Sequence, residues 1–267
     1  MPTAPLDSVI VAINAANVRL NGNVETLQAI GGQIVGNTQA FSQQAVNSAW
    51  RKFQARLADL RFSGLQTETV FTGVPPAGST DPGAQAYINF SNYFDGAVLQ
   101  AAPVLPQGMI RPYELTERAT GSGSLFTEMD MLLYAIPRVP KANWNRQWLW
   151  RNQTLYLPGA LLETDIALVY AQLLGDFADG ASPWFQQNIP LLNVIDPFAE
   201  YICREIAVAR GDMAAVLAFQ QSAEDMAALV VNQDLTAPSS LAKASESQKM
   251  RDRFSPPSGK MPKEVDR

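Results

Sequence analysis

Glu128 with Asp130, and Glu163 with Asp165, are the residue pairs whose type and spacing could do chemistry. Residues two apart on a strand share a face, so each pair would present two carboxyls side by side. Glycoside hydrolysis needs two carboxyls about 5–10 Å apart across a sugar. The same pairs could ligate a hard cation, but the Asp/Asn spacing of a calcium loop is absent. Other chemistries are excluded by composition. The 267-residue chain has no histidine and a single cysteine, Cys203. That removes Ser-His-Asp and Cys-His nucleophile pairs, histidine-containing zinc sites, intramolecular disulfides and CxxC redox pairs. Acidic pairs are common on solvated strand faces and no cleft motif accompanies these. The reading therefore assigns no catalytic, cofactor-binding or metal-binding residue.

Three of the five tryptophans fall in Trp144-Asn145-Arg146-Gln147-Trp148-Leu149-Trp150-Arg151. Aromatic rings beside Arg146 and Arg151 would suit a sugar or a single-stranded nucleic acid. Trp148 and Trp150 alternate about Leu149, which places both rings on one strand face, and a core or subunit-interface role is the preferred reading. Cys203 lies beside Ile202 within a helical pattern and reads as a small core residue. Gly31-Gly32 and Gly121-Ser122-Gly123-Ser124 lack the context of a phosphate-binding loop and read as loops or hinges. Arg210-Gly211-Asp212 reads as a turn between helices.

Hydrophobic residues make up 47% of the chain and charged residues 17%, enough apolar material for one large or two small folded units. The formal charge is −5, which disfavours general affinity for nucleic acid. Its distribution is uneven. Leu241 to Arg267 holds seven Lys/Arg against four Asp/Glu, leaving 13 against 21 elsewhere. An acidic body thus carries a basic tail. No apolar stretch is long enough to span a membrane. Met1-Pro2-Thr3-Ala4-Pro5 lacks the features of a signal peptide, so the expectation is a protein of the reducing cytoplasm, or one assembled there into something larger.

The elements that must position these residues follow from periodicity. Asp7 or Ser8 caps a first helix that stops at Asn21-Gly22. Thr38 caps a second, with Phe41, Ala45, Ala49, Phe53, Leu57 and Leu60 on one stripe and Gly64 in the left-handed closing position. Gln44, Arg51, Lys52, Arg56 and Asp59 form the opposite face. From Leu65, Thr, Val and Phe alternate between proline- and glycine-rich turns, as in an antiparallel sandwich or small barrel. Asp165 to Tyr170 tempts a helix reading, but a strand over Asp165 to Gln172 is preferred. Asp196 caps a third helix, with Pro197 first and Phe198, Ile202, Ile206 and Ala209 on its buried stripe. Gly211 closes it, and Asp212 caps a fourth helix running antiparallel to the third. Two helices alone leave their stripes half exposed. The expected fold is α+β: a four-helix bundle from the N-terminal (1–64) and C-terminal (180–233) helix pairs, with Phe41, Phe53, Leu57, Ile202 and Ile206 in its core. The antiparallel β-insert occupies 65–179, and an extended basic tail 234–267.

Certain segments resemble those of a known family. They are Phe41 to Leu60, Pro112-Tyr113-Glu114-Leu115-Thr116-Glu117-Arg118, Met129, Trp148-Leu149-Trp150-Arg151, Leu155-Tyr156-Leu157-Pro158-Gly159-Ala160 and Ile202 to Asp212. Their order, from about Asp7 to Val231, resembles the head-to-tail adaptor (connector) proteins of tailed bacteriophages. Leu149 and Thr116 depart from the pattern, which usually has an acidic and an aromatic residue there. The resemblance implies a virion protein of the neck, not an enzyme, forming a ring commonly of twelve subunits below the portal. Its partners would be the portal protein, a further neck or tail ring protein, and DNA that passes without sequence-specific binding. No membrane is involved. The tail would dock on the portal, with Lys249, Arg251 and Arg253 meeting carboxylates and Phe254 filling a pocket. Pro256 and Pro257 would hold the chain extended. Another ring of the same particle, a stopper or tail terminator, is an alternative. So is a carbohydrate-binding or depolymerase component of the tail.

Overall fold

A strand buried on both faces joins the two halves of this molecule. The structure, a computed structural model, describes residues 8–21, 27–30, 32–36, 40–138 and 140–235. The first part comprises α1 (Val9–Asn21), a small antiparallel meander of β1 (Gln28–Ile30), β2 (Gln33–Val35) and β3 (Ala40–Phe41), and α2 (Gln43–Asp59). The β-region then runs through β4 (Gln66–Val74), β5 (Ala86–Ile88), β6 (Tyr93–Phe94), β7 (Leu99–Gln100) and β8 (Met109–Ala119). It continues with β9 (Thr127–Glu128), β10 (Asp130–Leu132), β11 (Gln147–Arg151), β12 (Thr154–Leu157) and β13 (Thr164–Gln172). The chain returns to helix in α3 (Ile195–Arg210) and α4 (Met213–Leu235).

The β-region forms two sheets. One has the order β4-β13-β8-β9 and the other β10-β11-β12-β5-β6-β7. Pairings are antiparallel except β10 with β11. Phe71, Leu115, Ile166 and Leu168 from the first sheet share an apolar core with Ile88, Trp148, Leu155 and Leu157 from the second. The strand reading of 165–172 is correct, and tertiary position explains why its composition is ambiguous. Ile166, Leu168 and Tyr170 face the second sheet, while Val169 and Ala171 pack on the helical core. A central strand with both faces covered needs no polar alternation.

The helices do not form the expected four-helix bundle. α3 is a hub with α1, α2 and α4 around it, and no packed seam joins α1 to α2. On its α2 side, Phe198 packs against Trp50 with ring centroids 5.2 Å apart, and Tyr201 against Phe53 at 5.4 Å. Glu205, one turn on, accepts from Ser48 Oγ at 2.8 Å and pairs with Lys52 at 2.6 Å. On its α1 side, Cys203 Sγ donates to the Ala16 carbonyl at 3.4 Å, and Glu200 pairs with Arg19 at 3.0 Å. At 100° per residue, the Phe198-Tyr201-Glu205 and Glu200-Cys203 stripes lie on opposite sides of α3. The bundle expectation fails because the N-terminal helices bury their stripes against α3 and the Leu173–Phe177 segment, not against each other. Phe41, Phe53, Leu57, Ile202 and Ile206 are all buried in this helical core.

Local signals differ in three places. Phe41 lies on β3, because Ser42 is the N-cap of α2 and accepts from the Ala45 N–H at 3.2 Å. α2 ends at Asp59, and the left-handed residue behind it is Arg61 (φ 58°), not Gly64. α3 begins at Ile195 after Val194, so Asp196 sits inside its first turn, where a carboxylate complements the helix dipole. Gly211 (φ 74°) closes α3, and Asp212 Oδ1 accepts from the Ala215 N–H at 3.0 Å, as expected.

Candidate functional site

The β-region brings one of the two carboxylate pairs into a cleft. Glu117, Thr127, Glu128, Asp130, Trp144 and Arg146 line a hollow of about 430 Å³. β8 and β9 supply one wall, since Glu117 is registered against Thr127, and β10 with the loop before β11 supplies the other. Glu117, at the base, is buried. Its Oε2 accepts from the Asn145 N–H at 2.9 Å and its Oε1 from the Arg146 N–H at 2.6 Å. Asn145 Oδ1 in turn accepts from the Gly159 N–H at 3.1 Å. Glu117 thus pins the loop in which Arg146 adopts a left-handed φ of 57°. A buried carboxylate held by backbone donors is anchored as an acceptor. Glu128 and Asp130 are exposed at the rim.

In the other pair, Glu163 is exposed while Asp165 serves the fold. Asp165 is buried and accepts from the Gly73 N–H (3.0 Å), Arg118 Nε (3.0 Å) and Thr120 Oγ1 (3.1 Å). The Gly73 N–H, followed by Arg118 and Thr120, outweighs burial and holds its carboxyl below the ordinary range. Its role is to lock β4, β8 and β13 together.

Trp148 is buried in the core between the sheets and donates to the Met129 carbonyl at 3.1 Å. Trp150 is half-buried against the same core. Neither forms an open aromatic platform. Trp144 is the tryptophan of this segment that borders a cavity. Burial, reinforced by the charge of Glu200, pushes the Cys203 thiol up to about 12, so it stays protonated at neutral pH. Lys249, Arg251, Arg253, Phe254, Pro256 and Pro257 lie outside the described residues. No cluster of three or more His, Cys, Asp or Glu suited to a metal occurs among the described residues. Nor is any described helix long and apolar enough to cross a membrane.

Two apolar surface features were not singled out from the sequence. Immediately after β10 the chain bends and presents Leu133 and Tyr134, 76% and 85% exposed. Between α1, α4 and the start of α3 runs a groove of about 590 Å³, lined by Val11, Ile195, Pro197, Met226, Leu229 and Val230. The signal for the groove was available. α4 carries Met213, Leu217, Met226 and Leu229 outside its buried stripe, and a helix apolar on more than one face usually has more than one neighbour.

No protein-family model matches the chain, and no curated protein matches it.

Proposed function

We propose that this protein is a structural ring subunit of a tailed-bacteriophage neck, a head-to-tail adaptor below the portal that continues the DNA channel. The observation that carries the reading is the uncovered apolar surface on an otherwise well-packed subunit. Leu133, Tyr134, Leu217 and Leu229 lie in the open while two aromatic-rich cores are sealed beneath them. Neighbouring exposed apolar side chains, as at Leu133 and Tyr134, suit a protein contact. The acidic body supports the same reading, because a ring with net negative charge repels passing DNA instead of gripping it.

In this reading the subunits assemble in the host cytoplasm and end in the virion neck. A further neck or tail protein sits on the far side of the ring. The segment 234–267 docks on the portal through Lys249, Arg251, Arg253, Phe254, Pro256 and Pro257. Electron microscopy of the purified chain, alone and with portal rings, tests the proposal. The expected outcome is a ring of countable symmetry, commonly twelve, that stacks on the portal. Chains that remain monomeric beside assembled portals would sink it. Deletion after Asp234 is expected to leave folding intact and abolish portal attachment.

The cleft holding Trp144, Glu128 and Asp130 is the observation that favours the carbohydrate-binding alternative. A glycan-binding screen with wild-type protein and the Trp144→Ala variant separates the readings. Saccharide affinity lost in the variant would favour the alternative.

A further inference from the structure

We infer that the hollow between α2, α3 and α4 binds a small molecule carrying a phosphate group. The inference is independent of the ring reading. The hollow, of about 380 Å³, is lined from α2 by Lys52, Arg56 and Asp59, from α3 by Tyr201 and Arg204, and from α4 by Gln220 and Glu224. Helical spacing gathers them. On each helix these residues are three or four apart and so lie on one face.

Two polar groups of the hollow are left over by the fold. Tyr201 is only 5% exposed and its ring packs on Phe53, yet its hydroxyl makes no hydrogen bond among the described residues. The charges that act on this hydroxyl belong to Glu224, Arg56, Arg204 and Asp59, all of which line the hollow, so it points inward. Arg204 Nε is buried and likewise has no partner among the described residues. Buried donors left unmade are costly, which favours an acceptor supplied from outside.

Charge gives the ligand its sign. Asp59 pairs with Arg111, outside the hollow, at 2.5 Å, and Glu224 with Arg56 at 2.6 Å. Glu205 serves both Lys52, at 2.6 Å, and Arg204, at 3.3 Å. Lys52, Arg56 and Arg204 therefore share two carboxylates, and one positive charge is left for an anion. Donors reach the space from three sides: Arg204 and Tyr201 on α3, Lys52 on α2 and the exposed amide of Gln220 on α4. Such an arrangement fits an anion whose oxygens diverge, a phosphate and not a flat carboxylate. The hollow is larger than phosphate alone and leaves room for the body that carries it.

Isothermal titration of the full chain with inorganic phosphate, and with acetate at matched ionic strength, tests this. Phosphate is expected to bind saturably and acetate more weakly. Tyr201→Phe keeps the ring on Phe53 and removes only the hydroxyl. It should weaken phosphate binding about tenfold, the worth of one hydrogen bond to a charged group. Gln220→Glu alters an exposed residue, so circular dichroism should be unchanged while the added negative charge abolishes binding. Absence of saturable phosphate binding by the wild type, acetate bound as tightly as phosphate, or unchanged phosphate affinity in either variant overturns the site.

Discussion

The side-chain amide of Asn47 on α2 holds both backbone groups of Phe177. Its Nδ2 donates to the Phe177 carbonyl and its Oδ1 accepts from the Phe177 N–H, each at 2.9 Å. Two helical turns on, Gln54 treats Leu174 the same way, accepting from its N–H at 2.6 Å and donating to its carbonyl at 3.3 Å. Trp50 Nε1 donates to the Gly175 carbonyl between them, and Arg51 pairs with Asp176. One face of α2 therefore takes the place of a neighbouring strand for residues 174–177, supplying the backbone partners that no sheet provides there.

Removing the Gln54 amide takes the partners of the Leu174 N–H and carbonyl, and removing the Asn47 amide takes that of the Phe177 N–H, while the Phe177 carbonyl keeps Gln43 Nε2 at 2.8 Å. Asn47→Ala and Gln54→Ala are each expected to cost about 1–3 kcal/mol. Chemical denaturation measures the loss, and native-state hydrogen exchange should show faster exchange at Phe177 in the first variant and at Leu174 in the second.

The same clamp sets where the β-region is separable. A chain with 66–172 replaced by a short linker, but 173–178 retained, is expected to keep its helical circular dichroism. Extending the deletion through 178 also removes Phe177, whose ring lies 5.3 Å from Trp50, and should abolish cooperative unfolding. Equal behaviour of the two chains would show that the clamp is dispensable.

Phe198 and Ile13 are both buried in the helical core, on the α2 and α1 sides of the α3 hub. Phe198→Ala is expected to cost about 3–5 kcal/mol and Ile13→Ala about 2–5 kcal/mol. Because α3 stands between them, the double variant should equal the sum of the two within about 0.5 kcal/mol. Strong coupling would point to a shared α1/α2 seam.

Asp165 gives a signed pH dependence. Its folded pKa is depressed, so its contribution is fully present above the ordinary value of 3.8 and is lost as pH falls through the lower folded value. Asp165→Asn should lower stability at pH 7 by about 1–3 kcal/mol, the cost of weakening a buried acceptor's hydrogen bonds to Gly73, Arg118 and Thr120. It should also flatten the decline of the wild type below pH 4, read from denaturant midpoints across pH.

Cys203 should resist alkylation in the native protein at pH 8, because its thiol titrates near 12 and is buried. Labelling by iodoacetamide is expected to proceed only as fast as the helical core opens. Rapid labelling without denaturant would mean that the α1–α3 contact is loose.

Much of the secondary structure was legible in the residues because it rests on local chemistry. Gly211 and Asp212 dictate the α3–α4 turn, since one supplies a left-handed residue and the other a cap. The switch at residue 65 to alternating Thr and Val marks a strand because half-buried strands repeat every two residues. Glu128 and Asp130 read as a pair on one strand face, but they fall on β9 and β10, strands of different sheets whose facing walls bring both to one cleft. That this pair borders a cleft while Asp165 is sealed as a structural acceptor depends on which loops close over each, and those loops come from distant sequence.

The absence of histidine, the one cysteine and the separation of acidic body from basic tail are properties of composition, and no folding event alters them. Tertiary structure alone decided that α3 would be a hub. Each helix shows an apolar stripe, but a stripe is matched by any neighbour of suitable shape, and nothing in its spacing names one. It decided likewise that Asn47 and Gln54, polar residues on an amphipathic helix, would serve the backbone of a segment more than a hundred residues away. Hydrogen-bond partners are chosen by proximity in the folded chain. A side-chain amide reads the same whether it will meet water or an unpaired peptide group.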